Sequence, residues 1–150
     1  MSRPPDRQAI PTTRPDAKNS TKLHSLFSIG LAALIGGALA SGYLVYRNFV
    51  LVNQVPEAKR SIALFFVIGM VALVAAWHTP PDFLSFMLSV GLPQIAVVLL
   101  AAWNLQAHAL AAHRTVGGKF RSLWFAFLIG AAVNAVIKGF FYGISVAIAG

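Results

Sequence analysis

The chain has 150 residues, of which 57% are hydrophobic and only 11% charged, with a net charge of +8 and no cysteine. Soluble domains carry about 25% charged residues, so the composition excludes an ordinary soluble globule, and the lack of cysteine excludes disulfides and thiolate metal sites. The cations flank apolar runs, where they anchor helices and meet anionic lipid, and without a recognition module they predict no nucleic-acid partner.

Residues 1–22 predict a disordered, basic and proline-rich tail. Pro4, Pro5, Pro11 and Pro15 stand among charged and small polar residues there, with almost no apolar side chain to anchor the segment.

Residues 23–150 form the predicted transmembrane domain. Four apolar runs in it predict helices over about 27–46, 61–77, 83–103 and 123–149. A bilayer core needs roughly 20 helical residues to cross, and these runs are apolar on all sides rather than on one face. The predicted fold is therefore all-α: a polytopic transmembrane four-helix bundle with a disordered N-terminal tail.

The first run carries two rows of small residues at four-residue spacing, one through Gly36 and the other through Gly37. Small residues at this spacing let a second helix approach closely. A cleavable signal peptide is the alternative, but the leading segment is too long and the apolar stretch continues to Tyr46.

The second and third runs are joined by only a few residues and predict an antiparallel hairpin. We expect Thr79 to cap the third helix, with Pro80 at its first position and Asp82 three residues after the cap. Pro93 lies inside the third run and predicts a kink there, with a carbonyl near residue 89 left in need of a partner.

The fourth run has the longest row of small residues. Ala131, Ala135, Gly139 and Gly143 recur every four residues, and the last two form a GxxxG motif. This spacing predicts close packing of helices one and four, either within one chain or between chains.

A neighbouring row on the fourth run contains Asn134 and Lys138, which share one side of the helix. A lysine near the bilayer centre costs roughly 3 kcal/mol, so it should snorkel, face protein or line a polar pathway. We favour a snorkelling lysine over an ion pathway. A contact between Lys138 and Asp82 of the short loop is a further hypothesis.

Four crossings would place the tail, the loop around Pro80 and the C-terminus on one side. Loops 47–60 and 104–122 would then share the other side. Cations close to the helix ends favour these two loops as the cytoplasmic ones.

Several short stretches resemble a group of small bacterial membrane proteins that have no assigned activity. The likeness is carried by Gly36-Gly37-Ala38-Leu39-Ala40, Gly42-Tyr43-Leu44, Arg47-Asn48-Phe49, Pro81-Asp82-Phe83-Leu84-Ser85-Phe86, Gln106, His113 and Gly117-Gly118. Ala38 and Leu84 depart from the prolines that the group often has at these positions. The resemblance implies four helices in a bacterial inner membrane and no particular mechanism.

Signatures of enzymes are nearly missing from the sequence. No carboxylate pair lies inside the apolar runs, and His108 and His113 are spaced five apart without a neighbouring acid, so we predict no catalytic residue, cofactor or metal site. The predicted function is that of a non-enzymatic integral membrane protein that packs with itself or with partner helices in the lipid bilayer. The alternative is a small transporter or channel subunit that uses the row of Asn134 and Lys138.

Overall fold

The computed structural model describes residues 22–80 and 82–149, so most of the predicted tail lies outside the described residues. Four long helices fill this part of the chain: α1 (Leu26–Leu51), α2 (Val55–Trp77), α3 (Phe83–Thr115) and α4 (Leu123–Ala149). By length and composition alone, each of these four segments could cross a membrane. The predicted all-α class and the four apolar helices are confirmed.

The course of α1 differs from the straight helix that its sequence predicts, because the chain reverses at Gly37. Gly37 has φ 67° and ψ −162°, a non-helical conformation in the middle of α1. Residues 24 and 48 of one straight helix would lie about 36 Å apart. Instead, the His24 N–H donates to Asn48 Oδ1 at 2.7 Å, and Asn48 Nδ2 donates to the His24 carbonyl at 2.9 Å. Helix α1 is therefore a hairpin with two arms, residues 26–36 and 38–51.

This hairpin is the centre of the fold. In the most apolar part of α1, 61% of the residues are buried, against 11% in each of the other three helices. The two arms pack between α2, α3 and α4, and α4 contacts mainly α1. Irregular backbone within an apolar assembly is tolerated where protein surrounds it, and the enclosed position of the hairpin meets that condition.

The tip of the hairpin, Gly36 and Gly37, lies opposite the middle of the other three helices. A Cβ at Gly36 would stand 2.6 Å from the Gly130 carbonyl oxygen of α4, and Gln94 of α3 lies against Gly37. On α2, Gly69 is beside the residues that follow the tip. The hairpin thus fills one half of the assembly, which we call the basal half, and the three other helices continue beyond it as the distal half.

The loop between α1 and α2 is much shorter than the predicted loop 47–60. Helix α1 continues to Leu51, and α2 begins at Val55 instead of near residue 61. The charges of Lys59 and Arg60 interrupt the apolar run without interrupting the helix. Pro56 and Glu57 in the first turn of α2 are the residues that favour this earlier start.

The predicted cap of α3 at Thr79 is wrong. Asp82 is the N-cap, and its Oδ1 accepts the Ser85 N–H at 2.8 Å. Thr79 instead donates its hydroxyl to the Ala75 carbonyl at the end of α2. The carboxylate of Asp82 takes the cap because the helix begins at Phe83, three residues later than a cap at Thr79 would allow.

Helix α3 passes Pro93 without ending. A π turn over Met87–Gly91 precedes the proline, and the Leu92 N–H donates to the Met87 carbonyl. One wider turn here accommodates a residue that has no N–H and whose ring crowds the preceding turn. The helix stops at Thr115, where Gly117 (φ 70°) and the Gly118 N–H bond to the His113 carbonyl form a Schellman cap.

Candidate functional site

At the open end of the α1 hairpin, Asn48 closes a buried polar cluster. Its side chain accepts from the His24 N–H and donates to the His24 carbonyl and to Gln106 Oε1. Gln106 in turn donates to the Val45 carbonyl at 3.0 Å. The cluster ties the beginning of the first arm to the end of the second and to α3, so it holds the hairpin shut. We call these residues (His24, Asn48, Gln106) the basal cluster.

The ring of His24 lies outside the apolar helices but is fully buried. It stacks on Phe125 of α4 at 5.4 Å, and Arg121 lies over the same phenylalanine ring. Burial, together with the positive charges of Arg121 and Arg47, lowers the pKa of His24 to about 4. Neither ring nitrogen has a hydrogen-bond partner within residues 22–80 and 82–149. The imidazole is therefore neutral at pH 7 and packs against Phe125 of α4 as an uncharged ring.

At the tip, polar side chains donate hydrogen bonds to backbone carbonyls at the reversal. Asn134 Nδ2 of α4 donates to the Ile35 carbonyl at 2.8 Å, and the Ser41 hydroxyl donates to the Gly37 carbonyl at 2.9 Å. The last carbonyls of a helix lack partners within that helix, and in an apolar surrounding each unpaired one is costly. Asn134 therefore stabilises the end of the first arm.

A cavity of about 340 Å³ opens at the tip, between α2, α3 and α4. Gln94 is its polar side chain, and its Nε2 lies 3.3 Å from the place of a Cβ on Gly37. Aliphatic and aromatic side chains line the rest, such as Phe66, Met70 and Phe140. The cavity lacks the carboxylates and cations of an ion path, because none of the residues described around it is charged.

The residues predicted to pack helices one and four have different positions. Gly36 does approach α4, but its neighbour there is Gly130, where a Cβ would in turn stand 2.9 Å from that of Ile35. Gly37 faces Gln94 and forms the reversal. The close approach of α1 to α4 at Gly36 therefore involves Gly130, one residue before Ala131, where the predicted row begins.

The predicted row on α4 runs away from this crossing. Ala131 is half-buried and Ala135 is exposed. A Cβ atom added at Gly139 or Gly143 would have no other described residue within 4 Å. Every residue from 138 to 148 is exposed. Within one chain the GxxxG motif therefore packs against no other helix of the described residues, because the hairpin ends below it.

Lys138 and Asp82 are both exposed, and no ion pair joins them in the described part of the chain. Asp82 is used as the cap of α3, and the hydrogen bond from the Ser85 N–H lowers the pKa of its carboxyl group. Lys138 lies one turn beyond Asn134 in the distal half. The structure separates the two members of the predicted polar row: Asn134 bonds to the hairpin, and Lys138 faces outward.

The basal cluster was not predicted as a site. Asn48 and Gln106 could have been noticed as amides near the ends of apolar runs, but their meeting depends on the reversal at Gly37. Their contact is therefore visible only once the hairpin is known. Comparison with protein-family models, with curated proteins and with solved structures finds no match for this chain.

Proposed function

We propose that the protein is a multi-pass membrane protein in which α2, α3 and α4 cross the bilayer and α1 is a re-entrant hairpin. Each arm of α1 is shorter than the roughly 20 residues that a crossing requires. The arms begin and end at the basal cluster, and the tip lies at mid-depth of the other helices. This topology accounts for the burial of α1 and for the apolar outer surfaces of the other three helices.

The re-entrant course also gives the protein a charged side. Every described lysine and arginine except Lys138 lies at the basal end: Lys22, Arg47, Lys59, Arg60, Arg114, Lys119 and Arg121. The sequence before Lys22 contains four further cations: Arg3, Arg7, Arg14 and Lys18. Cytoplasmic segments of membrane proteins carry an excess of such residues. We therefore propose that the basal end faces the cytoplasm, in line with the resemblance to proteins of a bacterial inner membrane.

Single introduced cysteines test this topology, since the natural chain has none. We expect cysteines at Lys22 and at Gln54 to react from the same side of sealed vesicles with a membrane-impermeant maleimide, and a cysteine at Pro80 to react from the opposite side. All three positions are exposed. Labelling of positions 22 and 54 from opposite sides would show that α1 crosses the bilayer and would refute the re-entrant hairpin.

The role that we propose is assembly with other membrane helices through the distal half of α4. The observation that carries this proposal is that Gly139 and Gly143 lie on an exposed helix segment, with no atom of the described residues against either glycine. In lipid, close backbone contact at small residues drives helix association. A lysine at position 138 also favours a protein or water neighbour over lipid tails. No chemistry beyond packing is required of these residues.

Leucine substitutions test the assembly surface. We expect Gly139→Leu together with Gly143→Leu to shift the detergent-solubilised protein from an oligomeric to a monomeric mass, because the added side chains keep helix backbones apart. Ser145→Leu is the matched control: it adds similar bulk to the opposite side of the same exposed turn, where Ser145 bonds only to its own helix. An unchanged mass of the double variant, or an equal shift in the control, would contradict the proposal.

A further inference from the structure

A groove of about 400 Å³ lies at the basal end, between the beginning of α1 and the last turns of α3. Its walls are mostly apolar and include Phe27, Trp103 and Leu110, with Phe120 from the loop before α4. Among the residues that the structure describes, Arg114 is the one cation that lines it. A long apolar surface that ends at a single guanidinium group has the two-part character of a phospholipid.

The groove lies at the level of the membrane surface, where a phospholipid headgroup would be. The side chains of Phe27 and Trp103 are 70% and 57% exposed, and they lie near the level at which α1 begins. Aromatic side chains of this kind concentrate where acyl chains meet headgroups. Arg114 follows Trp103 by three helical turns, and helical side chains lean back toward the N-terminus. Its guanidinium group is therefore placed toward the headgroup layer, beyond the aromatic residues.

Charge selects the kind of phospholipid. The described cations other than Lys138 surround this end of the molecule, and the whole chain carries a net charge of +8. Such a face attracts anionic lipid, and each cation near the surface raises the affinity about five-fold. An arginine fork also matches the oxygens of a phosphate group.

We infer that this groove binds one anionic phospholipid, with the phosphate group at Arg114, the glycerol region along Leu110 and an acyl chain that enters the bilayer past Trp103 and Phe27. The inference rests on the membrane location proposed above, but it is independent of assembly through α4. The ligand is lipid from the leaflet that faces the basal end, and not free phosphate, because the larger part of the groove surface is apolar.

Native mass spectrometry of the full chain in detergent tests the site, with phosphatidylglycerol and phosphatidylcholine as probes. We expect phosphatidylglycerol to bind more tightly, and Arg114→Gln to weaken it by about five-fold or more. Lys59→Gln removes an exposed cation from the same end but outside the groove, and should leave binding near that of the natural chain. An equal loss in both variants would show diffuse electrostatic attraction and would overturn the inference.

A second pair of variants tests the apolar part without changing charge. Ala111→Phe fills the groove and should weaken phosphatidylglycerol binding, whereas Ala112→Phe adds the same ring at an exposed position that does not line it. Displacement of the lipid by inorganic phosphate, or equal binding of the two lipids, would also overturn the inference. Because binding is read on protein of any oligomeric mass, loss of assembly in the Gly139 and Gly143 variants leaves this test intact.

Discussion

Replacing Asn48 with alanine is expected to destabilise the protein by about 3 kcal/mol or more. The Asn48 side chain makes three hydrogen bonds in a buried site, two to the His24 backbone and one to Gln106. Its removal leaves an N–H and a carbonyl of His24 without their partner. Each buried group that loses its partner costs about 1–3 kcal/mol. The two arms of α1 would then be free to separate at the basal end.

The measurement is unfolding of the purified protein in detergent, by heat or by added denaturing detergent. Asn104→Ala is the matched control, since Asn104 is exposed and its amide bonds only to the Leu100 carbonyl of its own helix. We expect the control to unfold close to the natural chain. Equal stability of the two variants would mean that the basal cluster does not hold the hairpin.

The presence of four helices could be predicted from the sequence because each contains a long apolar run. Their ends could not, since α2 begins at Val55 instead of near residue 61 and α3 continues to Thr115, beyond the predicted end at residue 103. What also could not be predicted is the course of α1. Residues 27–46 read as one unbroken apolar segment, and a pair of glycines in such a segment usually marks close helix packing. Nothing local distinguishes Gly36, which does pack closely, from Gly37, which turns the chain.

The contacts of the polar residues on α4 could not be predicted from the sequence either. Asn134 and Lys138 share a face of α4, so the sequence groups them. Their surroundings differ because the hairpin ends between them: Asn134 reaches the Ile35 carbonyl, and Lys138 lies beyond the tip. The partner of Asn134 is a backbone group that becomes available only where α1 is interrupted. Amide and carbonyl partners of this kind leave no trace in the spacing of side chains.

The reversal of α1 changes which cations lie on the same side of the protein. With α1 as a crossing, the tail stands on the side opposite to loops 47–60 and 104–122, and the cations divide almost evenly. With α1 as a hairpin, the beginning and the end of α1 lie together at the basal cluster. All cations of residues 22–80 and 82–149 except Lys138 then belong to one side. The strong sidedness supports the re-entrant topology, because orientation follows the lysine and arginine bias of short loops.

The conformation of Gly37 makes Gly37→Ala the second variant with a large expected effect. A φ of 67° with a ψ of −162° lies in a region used almost only by glycine, and holding another residue there costs on the order of 1–3 kcal/mol. The new methyl group would also stand 3.3 Å from Gln94 Nε2. We therefore expect a loss of stability of about 2–3 kcal/mol, visible in the same unfolding experiment as for Asn48.

Gly69→Ala separates the turn from the general effect of a methyl group at the tip. Gly69 is helical and lies beside Ala38 and Leu39, where an added Cβ makes ordinary contacts at 3.7 Å or more. Alanine also favours a helix over glycine by about 1 kcal/mol, so this control should be at least as stable as the natural chain. If Gly37→Ala behaved like Gly69→Ala, α1 would have to be a continuous helix at this position. The single-cysteine labels at positions 22 and 54 would then react from opposite sides. The two experiments therefore test the same feature, the reversal of the chain at Gly37.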